Sequence, residues 1–427
     1  MTSNQECYVY IVLPGKTEFT TAARFRLNQN REGEPIGEFI YSKNYLNNPD
    51  AVELDPVELK LNTKKFETAR MNGFFGAIRD AMPDYWGRRV IERNAGLSIL
   101  NEFDYLLNGP DDRAGALGFG LNTVPPSPRR QFNKTLDLEN LQIISEKIIN
   151  DDFSDMAEKK EDIIDLNQVQ ELLLEGTSMG GARPKAVLEH ENSLWLAKFS
   201  TSHDRWNYPC VEHALLNLAK LCGLHVAKSK IVDVANKKVL LVKRFDREYA
   251  ETGYFRHRMV SALTLLQSEE NTFARNEWSY LLLADQLRHT SANPKSDLQE
   301  LFGRMVFNAL VSNLDDHPRN HALLAINKSW RLSPAYDLTP TPSFALDNRN
   351  LAMICGVHGR MANAINLVSG HGRFLLTKEE AEAIIEKMAS VIRANWEACV
   401  LNAGVNHKEH QAISNAFLYP GFFNKVI

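Results

Sequence analysis

The chain has 427 residues, 44% of them hydrophobic and 24% charged, with a formal net charge of −4. That length exceeds the size at which one core stops growing, so two or three packed units are expected, and the near-neutral charge excludes a global attraction to phosphate backbones or anionic membranes. Five scattered cysteines (Cys7, Cys210, Cys222, Cys355, Cys399) show no CxxC or Cys/His zinc spacing and fit a reducing cytoplasm, while neither a secretion signal in Met1 to Lys16 nor an apolar run of about 18 residues is present.

The segment from Tyr8 to Leu121 is strand-rich at first, in Tyr8-Val-Tyr-Ile-Val-Leu and Glu38-Phe-Ile-Tyr, and then helical around Asn72 to Ala95. It reads as a mixed β/α accessory domain over residues 1–125. Pro125, Pro126 and Pro128 then break any helix or central strand and mark a linker. A charge-rich helical stretch from Leu136 to about Leu174 ends at Gly176-Thr-Ser-Met-Gly-Gly-Ala-Arg-Pro.

Ala186-Val-Leu-Glu and Ser193-Leu-Trp-Leu-Ala-Lys-Phe-Ser predict a hairpin turning at His190-Glu-Asn. Val211, Leu215 and Leu218 share one face of a helix that ends at Gly223, and two more strands follow in Lys230-Ile-Val-Asp-Val and Lys238-Val-Leu-Leu-Val-Lys-Arg-Phe. After Asp246 the pattern is mainly helical. Leu301, Phe302, Met305, Val306, Ala309 and Leu310 make a buried face, and Thr377-Lys-Glu-Glu380 is a capping box. A small β-rich unit over 126–246 thus precedes a larger α-helical one over 247–427.

Phosphoryl transfer needs a loop over phosphates, a lysine on them, oxygen ligands for a metal, and a carboxylate near the attacking hydroxyl. Each has a candidate, in a consistent order along the chain. Gly180, Gly181 and Ala182 let backbone N–H groups approach a triphosphate, with Lys185 just beyond, although such glycines also serve ordinary tight turns. Lys198 lies in the second hairpin strand, where a lysine reaches phosphates or simply snorkels at the surface. Glu212 in the next helix can orient that ammonium, or merely favour a helix N-terminus.

In Asn313-Leu-Asp-Asp-His-Pro-Arg-Asn320, Asp315 precedes Asn320 by the five residues of the kinase D-x-x-x-x-N loop. Asp315 would orient the acceptor hydroxyl or take its proton, and Asn320 would bind Mg²⁺. Asp337, ending Leu332-Ser-Pro-Ala-Tyr-Asp, follows a predicted strand where a second metal ligand belongs. The competing reading of Asp315, Asp316, His317 and His321 is a His/Asp metal-hydrolase cluster, which leaves the glycine loop and Lys198 without a role.

Taken together these motifs resemble the HipA family of bacterial kinase toxins. Asn72-Gly-Phe-Phe-Gly-Ala-Ile-Arg-Asp-Ala-Met-Pro-Asp-Tyr-Trp-Gly-Arg-Arg89 is similar to the family's N-terminal signature, and Asp111 to Phe119, the Ser178 loop, Val242 to Arg247, the Asp315 loop and Pro334 to Asp337 follow in the family's order. Within that pattern Lys243 stands where an acidic residue is common, and Arg183-Pro184 precede Lys185.

The resemblance implies an α+β, protein-kinase-like two-lobed fold. It implies ATP and Mg²⁺ as cofactors, Phe245 as a hinge contact to adenine, Asp246 near the ribose, His317 near the nucleotide and Ser178 as a self-phosphorylation site. It also implies a protein substrate such as an aminoacyl-tRNA synthetase, glutamyl-tRNA synthetase being the familiar case. The partner would be a HipB-like helix-turn-helix antitoxin, with DNA reached only through it and no membrane involved. A small-molecule kinase of the aminoglycoside or choline type, and a silent binding module acting as corepressor, are the alternatives; the first gives no reason for the Asn72 to Arg89 signature, the second none for keeping Lys198, Asp315, Asn320 and Asp337.

Overall fold

The computed structural model describes residues 5–95, 100–150 and 183–423. These divide into two compact units. The first takes the described residues up to 202 with 233–260 and 324–328, and the second takes 203–232, 261–323 and 329 onward.

The first unit opens with β1 (Gln5–Val12), β2 (Phe19–Gln29), β3 (Pro35–Tyr41) and β4 (Phe66–Thr68), which with β5 (Leu117–Gly120) make an antiparallel sheet in the order β4-β3-β2-β1-β5. Its inward positions are aromatic, and the Asn72 to Arg89 signature packs on them. Phe74 and Phe75 lie 5.4 and 6.4 Å from the Phe25 ring, and Phe75 lies 6.0 Å from Phe39. The chain reaches this position through Met71, Asn72 and Gly73, all with positive φ. Gly73 passes so close to Gly37 that a Cβ on Gly37 would fall 1.8 Å from the Gly73 carbonyl oxygen.

The rest of the signature is also packing. Trp86 is 1% exposed and donates its indole N–H to the Lys185 carbonyl at 3.1 Å, Arg88 grips the Glu102 carboxylate with both terminal nitrogens, and Arg89 donates to the Ile148 carbonyl at 2.8 Å.

A second sheet of this unit runs in the order β6 (Asn133–Lys134), β7 (Lys185–His190), β8 (Ser193–Lys198) and then a strand reached later in the chain. The β7-β8 hairpin forms where the sequence predicts it, with Glu191 and Asn192 both at positive φ as a tight two-residue turn requires. After β9 (Ser229–Val234), β10 (Lys237–Lys243) pairs antiparallel with β8.

One expectation is overturned just after Asp246, where helix does not begin at once. The chain first forms a hairpin of β11 (Arg247–Ala250) and β12 (Gly253–Arg256), turned at Glu251 and Thr252, and then β13 (Arg258–Ser261). Alternation in Tyr254-Phe-Arg-His-Arg, with Tyr254, Arg256 and Arg258 buried, carries the strand signal.

The second unit is largely helical. Helix Tyr208–Leu221 starts earlier than its apolar spacing indicates, because Asn207 caps it and Pro209 occupies its first turn. Helix Pro294–Leu310 is buried over most of its length, including the predicted face from Leu301 to Leu310, and it packs against helices Tyr280–Thr290 and Lys378–Asn402. The last of these opens with the expected reciprocal capping box of Thr377 and Glu380. Among the described residues no helix is long and apolar enough to cross a membrane.

Candidate active site

Ser178, Gly180, Gly181 and Ala182 lie outside the described residues. Of the remaining candidates in the first unit, Lys185 and Lys198 are register partners across the β7-β8 hairpin, at the end far from its turn. Their environments differ. Lys185 is 1% exposed, with its Nζ 3.3 Å from Asp84 of the signature, so a buried ammonium ties β7 to the N-terminal segment. Lys198 is half-buried and pairs with Leu240 of β10.

Phe245 and Asp246 follow β10, and Asp246 is 1% exposed. Its Oδ1 accepts from Arg244 at 3.0 Å, and its Oδ2 accepts from Arg244 and Arg247, each at 2.8 Å, and from the Gly115 N–H at 2.9 Å. Burial alone would raise its pKa, but the two guanidinium groups outweigh it and hold the carboxyl well below the usual range. Arg244 also pairs with Asp112, and Arg244 and Arg247 both donate to the Arg113 carbonyl, at 2.9 and 2.5 Å. The hinge sequence and the Asp111 to Phe119 motif are therefore one buried ionic assembly, which neither motif discloses when read separately.

In the second unit Glu212 sits in the second turn of helix Tyr208–Leu221 and is 5% exposed. The catalytic-loop candidates come together as a compact turn. Asp315 is exposed, its carbonyl accepts from the His317 N–H at 2.9 Å and from the Asn320 side-chain amide at 3.0 Å, and Pro318–Asn320 form one 3₁₀ turn. The five-residue spacing thus has a direct structural expression: Asn320 reaches back to the backbone of Asp315. With its Nδ2 so engaged, the Asn320 amide presents an oxygen as its acceptor, as a hard cation requires.

The Asp337 loop is held to the same turn. Tyr336 donates its hydroxyl to the Arg319 carbonyl at 2.8 Å, and the buried Arg304 donates to the Ser333 carbonyl at 2.5 Å. Ala335 exchanges backbone bonds with the 225–227 stretch, its N–H donating to His225 at 2.8 Å and its carbonyl accepting from Ala227 at 2.9 Å. Asp337 itself has φ +57°. A non-glycine residue in that region is uncommon and marks a position where the surrounding structure imposes the backbone.

Behind the loop, Asp316 is fully buried. It accepts from the Tyr280 hydroxyl and, at 2.8 Å, from the Ala352 N–H. The His321 ring is 3% exposed and its Nε2 lies 3.1 Å from the Tyr280 oxygen; burial, then Arg304 and His317, push its pKa down to about 3. Asp316 and His321 thus face the interior, and among the described residues no group of three or more His, Cys, Asp or Glu is placed to hold a metal. The His/Asp hydrolase arrangement does not form there. The sequence reading missed Tyr280, Arg304 and Asn308, because each acts from a helix whose periodicity reads simply as core.

Comparison with known proteins places the chain in a family. The model of the HipA-like C-terminal domain matches residues 177–396, more than half of the chain, and that of the HipA N-terminal domain matches residues 25–120. The chain belongs to the HipA family.

Its relatives include a Sinorhizobium fredii protein named as a kinase, Y4mE, 25% identical over 349 residues that cover 78% of each chain. The serine/threonine-protein kinase toxin HipA of Shewanella oneidensis is 25% identical over 201 residues, 41% of this chain and 46% of that one. The fold matches HipA in the solved complex of Shewanella oneidensis HipA, HipB and operator DNA, with a TM-score of 0.67 and 17% identity over 98% of this chain and all of that one. The fold is therefore the α+β, kinase-like fold of HipA, and the chain is a HipA-type kinase.

Proposed function

We propose that this HipA-type kinase moves the γ-phosphate of ATP, with Mg²⁺, onto a serine or threonine hydroxyl of a protein. The observation that carries the reading is the Asp315 turn. An exposed carboxylate is fixed by the Asn320 amide and His317 N–H on its own carbonyl, and the turn is bonded through Tyr336 to the loop that forces Asp337 into a left-handed backbone.

In this reading Asp315 accepts the hydrogen bond of the acceptor hydroxyl and takes its proton as the new O–P bond forms and the bond from the γ-phosphorus to the bridging oxygen breaks, leaving ADP. Asn320 and Asp337 supply the amide and carboxylate oxygens for Mg²⁺, which, when bound, neutralises phosphate charge. Lys198 neutralises phosphate oxygens, with Glu212 as its orienting partner, while the Gly180 to Ala182 segment covers them. Phe245 contacts adenine and His317 lies near the nucleotide. The Asp246 carboxylate, engaged by Arg244, Arg247 and the Gly115 N–H, serves by holding the hinge backbone beside the ribose, and Lys185 serves by anchoring the strand that follows the glycine segment.

Three finer elements rest on kinship. Ser178 is the self-phosphorylated residue; nearly two added negative charges there repel a triphosphate and switch the enzyme off. A HipB-like antitoxin binds the chain and carries it to operator DNA, as in the complex of the Shewanella protein. The acceptor is a cytoplasmic protein of the aminoacyl-tRNA synthetase class. Incubation with Mg²⁺ and γ-labelled ATP, followed by mapping of the label, tests the core of the reading: label on Ser178 in wild type and none in Asp315→Ala supports it, and equal label in both refutes it.

A further inference from the structure

Asp315 and Asp316 are neighbours with opposite fates, one exposed and one without solvent contact. Whatever holds Asp316 inward therefore sets where Asp315 stands. We propose that Tyr280 and Asp316 are positioning residues of the phosphoryl-transfer reaction, fixing the catalytic-loop backbone from its buried side together with Asn308 and His321. The inference rests on the reading of Asp315 given above.

The bonds form a closed chain. Asn313, at the start of the loop, donates its side-chain amide to Asn308 Oδ1 at 3.1 Å, and Asn308 donates to the Tyr280 oxygen at 3.0 Å. Tyr280 donates its one proton to Asp316 Oδ2, while Asp316 Oδ1 accepts the Ala352 N–H. His321, just after Asn320, closes the circuit on the Tyr280 oxygen, so the loop is gripped at 313, 316 and 321.

Proton bookkeeping then fixes the state of the whole set. Because the Tyr280 proton goes to Asp316, its oxygen must accept from both Asn308 and His321, and the His321 proton therefore sits on Nε2. The other ring nitrogen, Nδ1, is then a bare lone pair, and it is buried with no hydrogen-bond partner among the described residues. The arrangement as it stands requires Asp316 ionised; protonating it would put a second donor against the Tyr280 hydroxyl and force the Tyr280 proton and the His321 tautomer to rearrange.

That requirement falls in an accessible range. Burial pushes Asp316 up to about 7, partly offset by the bonds from Tyr280 and the Ala352 N–H and reinforced by the charge of Asp315. The other ionisable groups facing this assembly are Cys355, which interacts with both Asp316 and Tyr280, and Arg304 and His317, which face His321.

The test measures kcat and KM for ATP between pH 5.5 and 9 with the full chain, Mg²⁺ and labelled ATP, scoring label in the chain and in casein as a generic acceptor. Wild type, Tyr280→Phe, Asp316→Asn and Asp315→Ala are compared, with thermal unfolding as the check on folding; Asp316→Asn, which is isosteric, carries the test if Tyr280→Phe does not fold. Tyr280→Phe is expected to lower kcat about tenfold while KM for ATP stays within about twofold. Its acid limb should move to higher pH, since the lost hydroxyl stabilised the carboxylate, and in Asp316→Asn the limb near pH 7 should vanish. A role in stability alone would move neither limb.

Limbs unmoved in both variants, with kcat within about twofold of wild type, overturn the inference while an inactive Asp315→Ala leaves the kinase reading standing. A wild type no more active than Asp315→Ala overturns both.

Discussion

Replacing Asp246 by alanine should destabilise the first unit severely. The side chains of Asp112, Arg244, Asp246 and Arg247 are each no more than 2% exposed, and their two positive and two negative charges balance. Removing Asp246 takes away four hydrogen bonds from Arg244, Arg247 and Gly115 and leaves one uncompensated positive charge in a buried site. Breaking a buried pair from one side costs about 3–5 kcal/mol, against a total stability of roughly 5–15 kcal/mol for a domain.

Urea unfolding followed by far-ultraviolet circular dichroism, at pH 7 and moderate salt, measures the loss. The pH dependence checks the cause. Because the folded pKa of Asp246 is depressed, its contribution is present above the ordinary carboxylate value and is lost as pH falls through the folded one. Wild type should thus approach the variant only below about pH 4. A loss under about 1 kcal/mol at pH 7 would refute the claim that this assembly, and not apolar packing alone, joins the hinge to the Asp111 to Phe119 motif.

Three further outcomes follow from the same structure. Asp316→Asn should gain about 3 kcal/mol on wild type between pH 5 and pH 8, because a folded pKa raised to about 7 means that wild type loses stability as pH rises from about 4 to 7 and the amide does not; paired urea titrations at the two pH values measure it. Gly37→Ala should cost about 2–4 kcal/mol in urea unfolding, since its Cβ would meet the Gly73 carbonyl oxygen at 1.8 Å, backbone that cannot give way cheaply. Lys198→Ala should lower label transfer by about a hundredfold while the thermal midpoint moves by less than about 3 °C, because the lysine is half-buried and its proposed role is to neutralise phosphate.

The parts of this molecule that were legible in its sequence are those encoded locally. Alternation and a two-residue turn announce the β7-β8 hairpin, and the Thr377 to Glu380 cap marks the start of its helix. The D-x-x-x-x-N spacing is equally local, and its meaning is visible in the bond from Asn320 to the Asp315 carbonyl.

What stayed hidden depends on partners far apart in the chain. Nothing local shows that the Gly115 N–H, some 130 residues earlier, donates to Asp246, or that Asp112 pairs with its neighbour Arg244. Nor does the sequence show that Asp84, about a hundred residues earlier, stands beside the Lys185 ammonium. Tyr280 sits in a helix whose apolar spacing gives no reason to expect a hydroxyl bonded to Asp316. The strands after Asp246 were concealed by buried arginines, Arg256 and Arg258, which read as surface until their carboxylate partners Asp111 and Glu53 are known.

The central claim is that Asp315 transfers phosphate from ATP, and one measurement addresses it most directly. Wild-type and Asp315→Ala chains are incubated with Mg²⁺ and γ-labelled ATP, and acid-stable label on serine and threonine is quantified while nucleotide binding is followed in parallel. The account predicts label in wild type, loss of about a thousandfold or more in the variant, and nucleotide affinity within about threefold in both. Equal labelling of the two chains, or nucleotide binding without label in either, would contradict it.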